Sequence, residues 1–359
     1  MKNIILLVLL SLFFSFGLMA DDTSDDSTKE ETKDESKEES KKDDRELISE
    51  FVEEFITYEG LLKSYQDPEN GNTYIELSDE DISKEFIYFA HIINGTVEAG
   101  LFKGSHIDQA VIKFEKQFNS LNLVRVNTEY YFDPDSELSR QSQSNISDSV
   151  IENFEITHKN ENENTYLIDI TKLLKSDNLT KLKSEPRDYD SDSFQVGSLS
   201  RSKTAISKIY NYPKNTDFEV DYVFSNPASY ESLRNTSVKL RYTFLEMPQD
   251  NGFEIRFEDP RIGYFTDRVT DLSSTEITPY RDLVQKWNLQ KQNPDAAKSK
   301  PIKPIKFWLE NTTPNELRPL IKNAVLAWNI AFEKAGFIDA IEVDVQPDDA
   351  DWDAGDIRY

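Results

Sequence analysis

Three histidines, His91, His106 and His158, are the side chains of this 359-residue chain best suited to carry a proton or hold a metal near neutral pH. No two of them lie within four residues of each other, and none is followed by glutamate. The H-E-x-x-H zinc helix, which needs two imidazoles one turn apart with a glutamate base between them, is therefore absent. The chain also lacks a G-x-S-x-G nucleophile elbow, a phosphate-cradling Walker loop and a G-x-G-x-x-G turn. His91 sits in the apolar stretch EFIYFAHII and reads as a packed or rim histidine rather than a ligand, while surface positions account for His106 and His158. In RDYDSDSF, Asp188, Asp190 and Asp192 alternate as in a calcium loop. Ser193 stands where that loop needs glycine and Leu199 where it needs a bidentate glutamate, so a solvated turn is the better reading. FEDPRIGYF concentrates Arg261, Gly263 and Tyr264 behind a proline, as a strand-to-strand turn would. Asn94, Asn145, Asn178, Asn235 and Asn311 open N-x-S/T triplets, which accept glycans only in a host with that machinery. On the residues alone, no catalytic residue and no metal ligand is assigned, and the substrate-binding residues are unknown.

The elements that would position any such chemistry fall into five segments. Residues 1–20 carry Lys2, an apolar run from Ile4 to about Leu18, and Ala20 before acidic Asp21, the pattern of a secretory signal cut after Ala20. A membrane anchor would need a longer apolar run and a stop-transfer flank. Residues 21–46 hold thirteen acidic and six basic side chains and no apolar one, which predicts a disordered acidic tether with nothing to bury. Lysines spaced by four could support only a transient charged helix there.

From 47 to 289, stretches such as NTYIEL, EFIYFAHII, AVIKFEKQF, LNLVRVNTEYYF, FEVDYVFS, SVKLRYTFLEM and FEIRFED alternate apolar and polar residues. This predicts a β-rich, antiparallel region with a hairpin in VIENFEITHKNENENTYLIDI and a short helix near Ile170–Leu174. Residues 290–304, polar and Pro-bearing, read as a linker. All four tryptophans, Trp287, Trp308, Trp328 and Trp352, lie in the chain's final part. There Ile305, Phe307 and Leu309 share one strand face, and Thr313-Pro314-Asn315-Glu316 reads as a capping box. A helix is predicted from Pro314 to Ala335, about 34 Å long at the standard rise, stopped by Gly336. A strand at Ile341–Val345 follows, and DIRY reads as the opening of a third strand. The fold class is α+β: an antiparallel sheet-rich region followed by a strand-helix-strand unit.

A hydrophobic content of 37 %, with 22 Phe and 16 Tyr, is enough for a buried core despite 30 % charged residues. The formal charge of −26 argues against nucleic acid, whose phosphates it would repel. The absence of cysteine excludes disulfides and lipid attachment to cysteine. The combination points to an exported chain, destined for periplasm, cell surface or medium, with no integral membrane span once the signal is removed.

The last 57 residues, from KPIKFWLENTTPNELRP to DDADWDAGDIRY, closely resemble the segment upstream of the active-site helix in a family of bacterial exported zinc-dependent metalloproteases related to the metzincins. The matching positions are Trp328, Asn329, Ala331, Phe332, Ala335, Gly336, Phe337, Asp351, Trp352, Asp353, Asp356, Arg358 and Tyr359. SLSRSKTAISKIYNYPKNTDFEV, FEDPRIGYF and WNLQKQNPD are similar to stretches of the β-rich N-terminal region that such proteases carry. The resemblance implies that residues 305–359 open an incomplete metalloprotease-like catalytic domain. It also implies that the full-length protein is a zinc-dependent endopeptidase acting on peptide or protein substrates. In the family, an H-E-x-x-H-x-x-G-x-x-H helix supplies the zinc ligands and the base after D-[IV]-R-Y. No position of this chain matches that helix, so no ligand or base is carried over, and the chain by itself is expected to bind no catalytic zinc. The alternative expectation is a non-enzymatic exported binding or regulatory module related to these proteases.

Overall fold

The computed structural model describes residues 47–142, 144, 146–160, 164–182, 194–228 and 234–359. The expected signal and tether, Asp188, Asp190, Asp192 and Asn145 lie outside the described residues, as does part of the tip of the hairpin expected in VIENFEITHKNENENTYLIDI. The strands of the main sheet are β1 (Ile56–Tyr58), β2 (Ser64–Gln66), β3 (Thr73–Ser78), β4 (Glu85–Asn94), β5 (His106–Gln117) and β6 (Ser120–Arg125), then, after the two-residue β7 (Tyr130–Tyr131), β8 (Ser149–Asn160) and β9 (Thr165–Asp169). β10 (Ser198–Leu199), β11 (Ala205–Tyr212), β12 (Asn215–Ser225) and β13 (Asn235–Glu246) complete it. Among the described residues its order is β1-β2-β3-β9-β8-β6-β5-β4-β13-β12-β10, with β11 also on β12, and every pairing is antiparallel.

Alternation along these strands sends one set of side chains inward. Phe86, Tyr88, Phe114, Phe218, Tyr222 and Tyr242 are almost fully buried on that face. Each such ring contributes roughly 1.5–3 kcal/mol by leaving water. The tyrosines keep their hydroxyls paired: Tyr222 donates to the Leu174 carbonyl at 2.6 Å and shares a 2.6 Å bond with Tyr242. Leu174 belongs to the short helix α2 (Thr171–Leu174), whose Leu173 and Leu174 enter the core with Leu179. The sheet curls until its first edge meets β11 and β12. There Leu61 N–H donates to the Tyr212 carbonyl at 2.8 Å, and the Asn211 amide donates to Tyr58 O and Leu62 O. Helix α1 (Ile48–Phe51) packs on the opposite face with Tyr65, Tyr74 and Leu167.

A second sheet joins β14 (Thr266–Asp271) to β15 (Tyr280–Val284) antiparallel and to β7 in parallel. The expected strand FEIRFED forms only a bridge from Phe257 to Leu283. Its Phe253, Ile255 and Phe257 remain exposed, so no buried face is available to enforce alternation.

In the final part, β16 (Ile305–Leu309) and β17 (Ile341–Val345) pair in parallel, as a helical crossover between them requires. The helix is not continuous: α3 (Arg318–Leu326) and α4 (Asn329–Lys334) are separated by a tighter turn. In that turn Trp328, Ile330 and Ala331 bond three residues back instead of four. The same turn aims Asn329 at β17, where its amide donates to the Ile341 carbonyl and accepts from the Ile341 N–H, both at 2.9 Å. This tertiary pairing overrides helical propensity. The start also differs, since Thr313 caps nothing. Leu317 precedes the first helical residue, and the Arg318 guanidinium donates to the Thr313 carbonyl at 2.9 Å and to that of Asn311.

The third strand expected at DIRY is not formed. Asp353 and Asp356 accept from the backbone N–H groups of Gly355 and Arg358, and these local bonds bend the chain into successive turns.

Candidate functional site

The outer face of the main sheet would be solvated if the alternation of its strands told the whole story. Instead a row of polar residues crosses five strands in register: Lys208 on β11, Glu219 on β12, Arg241 on β13, His91 on β4 and His106 on β5. The turn at 351–359 covers its centre. The Arg241 guanidinium, its side chain 3 % exposed, donates to Glu219 on one side (Nε to Oε1, 3.2 Å). On the other side it grips Asp353 with two parallel bonds, Nη1 to Oδ1 at 3.0 Å and Nη2 to Oδ2. It also lies 5.1 Å from the centre of the Tyr210 ring. Two-pronged carboxylate recognition of this kind fixes orientation as well as distance.

These partners shape the local proton affinities. Burial alone would raise the Asp353 carboxyl, but bonds from Arg241 and from Gly355 N–H at 2.7 Å outweigh it and hold it below the usual carboxylate range. Burial, followed by the Arg241 charge, depresses His91 to about 4. Its Nε2 is buried and has no hydrogen-bond partner. Asp217, one row along and opposite Thr243, is pushed up to about 6 by burial, even though the Asn215 amide donates to it at 3.1 Å.

Gly355 is the closest point of approach between the turn and the sheet. A Cβ built there would fall 2.2 Å from His91 Nε2 and 3.0 Å from Ile93 Cδ1, so only glycine lets the turn sit down on β4. Gly355→Ala is expected to cost about 1–3 kcal/mol through this clash. Most of the loss should be recovered in the double variant with His91→Ala, read as a coupling term in a urea-denaturation cycle. Additive losses would show that the two sites do not touch.

Beyond the clasp, Arg358 lies 3.5 Å over the Tyr212 ring while bonding Asp356 (Nε to Oδ1, 2.9 Å). Trp352 stacks on Tyr359 at 4.3 Å and meets Trp308 edge-on at 5.2 Å. These rings, with Lys306, Glu310 and Gln346, line a cleft of about 230 Å³ beside β16. Its carboxylates already have cationic partners: Glu310 pairs with Lys103, Asp353 with Arg241 and Asp356 with Arg358.

Two of the histidines come together and the third stands apart. His91 and His106 stand opposite each other across β4 and β5, with Gly355 against the His91 ring, and His158 stacks on Phe51 at 4.0 Å. No group of three or more His, Cys, Asp or Glu able to hold a metal occurs among the described residues. Arg261 is exposed and pairs with Asp259 at its own turn, beside an open Gly263 and Tyr264, which lies 5.6 Å from the Arg256 guanidinium.

Sequence reasoning did not single out Arg241, Glu219 or Asp217. Each occupies a polar slot in an alternating strand, and nothing local says that the slot is covered. The only signal was a pair of acidic residues and an arginine in strands otherwise rich in aromatics.

No helix among the described residues is long and apolar enough to cross a membrane. Comparison with curated proteins and with solved structures returns no match. The family model described as a domain of unknown function, DUF5117, matches residues 104–292, a span that runs from the start of β5 past β15 and contains Glu219 and Arg241. That span is just over half of the chain, and the protein accordingly belongs to the DUF5117 family.

Proposed function

We propose that this chain is the N-terminal part of an exported zinc-dependent metalloendopeptidase. In this reading the β-rich body is a scaffold that holds the segment leading into the catalytic part. The observation that carries it is the two-pronged Arg241–Asp353 bond, because Asp353 lies in the D-W-D turn on which the resemblance to those proteases rests. The body thereby sets the direction of the chain at Asp356–Tyr359.

A second feature supports the reading. Here Ile321, Val325 and Phe332 of α3 and α4 pack on β16–β17, while Leu320 on α3, Ile330 on α4 and Trp328 between the two helices are exposed. Large exposed apolar side chains such as these are the kind of surface that further polypeptide covers. The chain's own residues would orient and support; the reading assigns none of them to zinc or to peptide hydrolysis.

The test is to read the gene beyond the codon for Tyr359. A frame continuing into H-E-x-x-H-x-x-G-x-x-H is expected, and the full product should then show peptidase activity that a chelator abolishes. A stop codon directly after Tyr359, or a continuation without that motif, overturns the proposal.

A further inference from the structure

The hairpin joining β5 and β6 turns on two residues, Phe118 and Asn119, between the paired Gln117 and Ser120. Phe118 has φ 53°, and Asn119 is not among the residues with positive φ. A tight hairpin turn with positive φ at its first central position ordinarily takes glycine there. A bulky aromatic in that conformation is uncommon and costs backbone energy. Packing does not repay the cost, since the ring is 94 % exposed. A strained, solvent-facing phenyl ring is a feature that folding alone does not call for.

What lies beside it is equally specific. On the outer face of β5, β6 and β8, register places Gln117, Ser120 and Glu155 in one row and Glu115, Asn122 and Asn153 in the next. Hydrogen bonds hold the amides in place. Asn122 donates to Gln117 Oε1 at 3.0 Å, and Asn153 donates to Ser120 Oγ at 2.9 Å and to Asn122 Oδ1 at 2.6 Å. With Phe118 at one end and the exposed Val150 at the other, these residues form an open shelf of about 650 Å³.

We infer that this shelf binds a neutral saccharide chain, with the Phe118 ring as the platform for a pyranose face and the Gln117, Asn122, Asn153 and Glu155 side chains as partners for its hydroxyls. The chemistry selects this occupant over the alternatives. Amides and carboxylates set two rows deep, each with spare donors or acceptors, suit a ligand that is hydroxyl-rich and uncharged. An anionic ligand would meet the Glu155 carboxylate on the shelf, while the nearby Lys113 is already paired with Glu115 at 2.9 Å. A bilayer would engage a single ring on a strongly acidic chain, too little apolar area for stable insertion. The inference does not depend on the peptidase reading, because the shelf lies wholly in the β-rich body and within the matched family span.

Affinity electrophoresis of the whole chain through gels containing laminarin, hydroxyethylcellulose or soluble xylan tests it. At least one of these polysaccharides is expected to retard the protein. Phe118→Ala should lose at least tenfold in apparent affinity and Phe118→Trp should keep or improve it, while Asn153→Ala should weaken it with Phe118 intact. Phe118→Gly, which relieves the backbone, is expected to melt at a higher temperature and yet to bind no better than Phe118→Ala. That pattern separates loss of the platform from loss of the fold. No retardation by any of the three, or equal retardation of wild type and Phe118→Ala, overturns the inference. So does co-sedimentation with phosphatidylcholine vesicles that Phe118→Ala abolishes, which would assign the ring to a membrane instead.

Discussion

Arg241→Ala is expected to destabilise the chain by about 3–5 kcal/mol, the range found when one partner of a buried ion pair is removed. The loss has two sources. Glu219, whose side chain is 3 % exposed, would be left as a buried carboxylate without its cation, and the bonds to Asp353 would go. Asp353→Asn should cost much less, because Asp353 is 43 % exposed and water can replace part of what it loses. The two variants should also differ in where the damage falls. Asp353→Asn should loosen the 351–359 turn and shift the fluorescence of Trp352, which stacks on Tyr359, while leaving the main unfolding transition close to wild type. Arg241→Ala should move that transition itself. Replacing the pair together, as Arg241→Met with Glu219→Leu, should restore most of the stability, because burying two matched charges is nearly offset by its own desolvation cost. Urea denaturation followed by far-ultraviolet circular dichroism and by tryptophan emission reads all three. An Arg241→Ala chain within 1 kcal/mol of wild type, on the order of one ordinary hydrogen bond, would show that the clasp does not organise this face.

Asp217→Asn is expected to turn a nearly flat pH dependence of stability between about pH 4 and pH 6.5 into a steep one. Folding raises Asp217 from 3.8 to about 6, so between those values the folded chain binds a proton that the unfolded chain has released. Its stability therefore falls as pH rises through that window, by about 3 kcal/mol in full. His91 works in the opposite sense. Folding lowers it from 6.5 to about 4, so the unfolded chain holds the extra proton and stability falls as pH drops from 6.5 toward 4. In the wild type the two slopes oppose each other and the profile should be shallow.

Removing the Asp217 charge leaves the His91 slope alone. Asp217→Asn should exceed wild type by up to ~3 kcal/mol at pH 8, match it near pH 4, and lose stability on acidification from about pH 6.5 toward pH 4. Denaturation midpoints taken at half-unit pH steps would show it. Parallel profiles for the two proteins would mean that Asp217 is not buried in charged form at neutral pH.

Much of the architecture was legible because local pattern and global burial agree. EFIYFAHII, FEVDYVFS and SVKLRYTFLEM alternate apolar and polar residues, and each becomes a strand with its apolar set inward. The strand-helix-strand order at 305–345 was equally plain, since a 3.6-residue period between two period-two segments admits few other readings. Misreadings fell where tertiary bonds compete with propensity. The long helix is interrupted because Asn329 pairs with the backbone of Ile341. FEIRFED alternates correctly but has no buried face to dock on. DIRY, read as a strand, is drawn into turns by Asp353 and Asp356.

The sequence by itself determined the sheet-rich class, the inward faces of its long strands and the lack of disulfides. These follow from side-chain type and short-range period, which act within a few residues. Only the tertiary structure decided that Glu219, Arg241 and His91 form one buried row and that Asp353, 112 residues after Arg241, closes over it. Whether a polar slot on a strand faces water or another segment depends on what packs against it from far along the chain. Alternation records that a residue is polar but not what covers it.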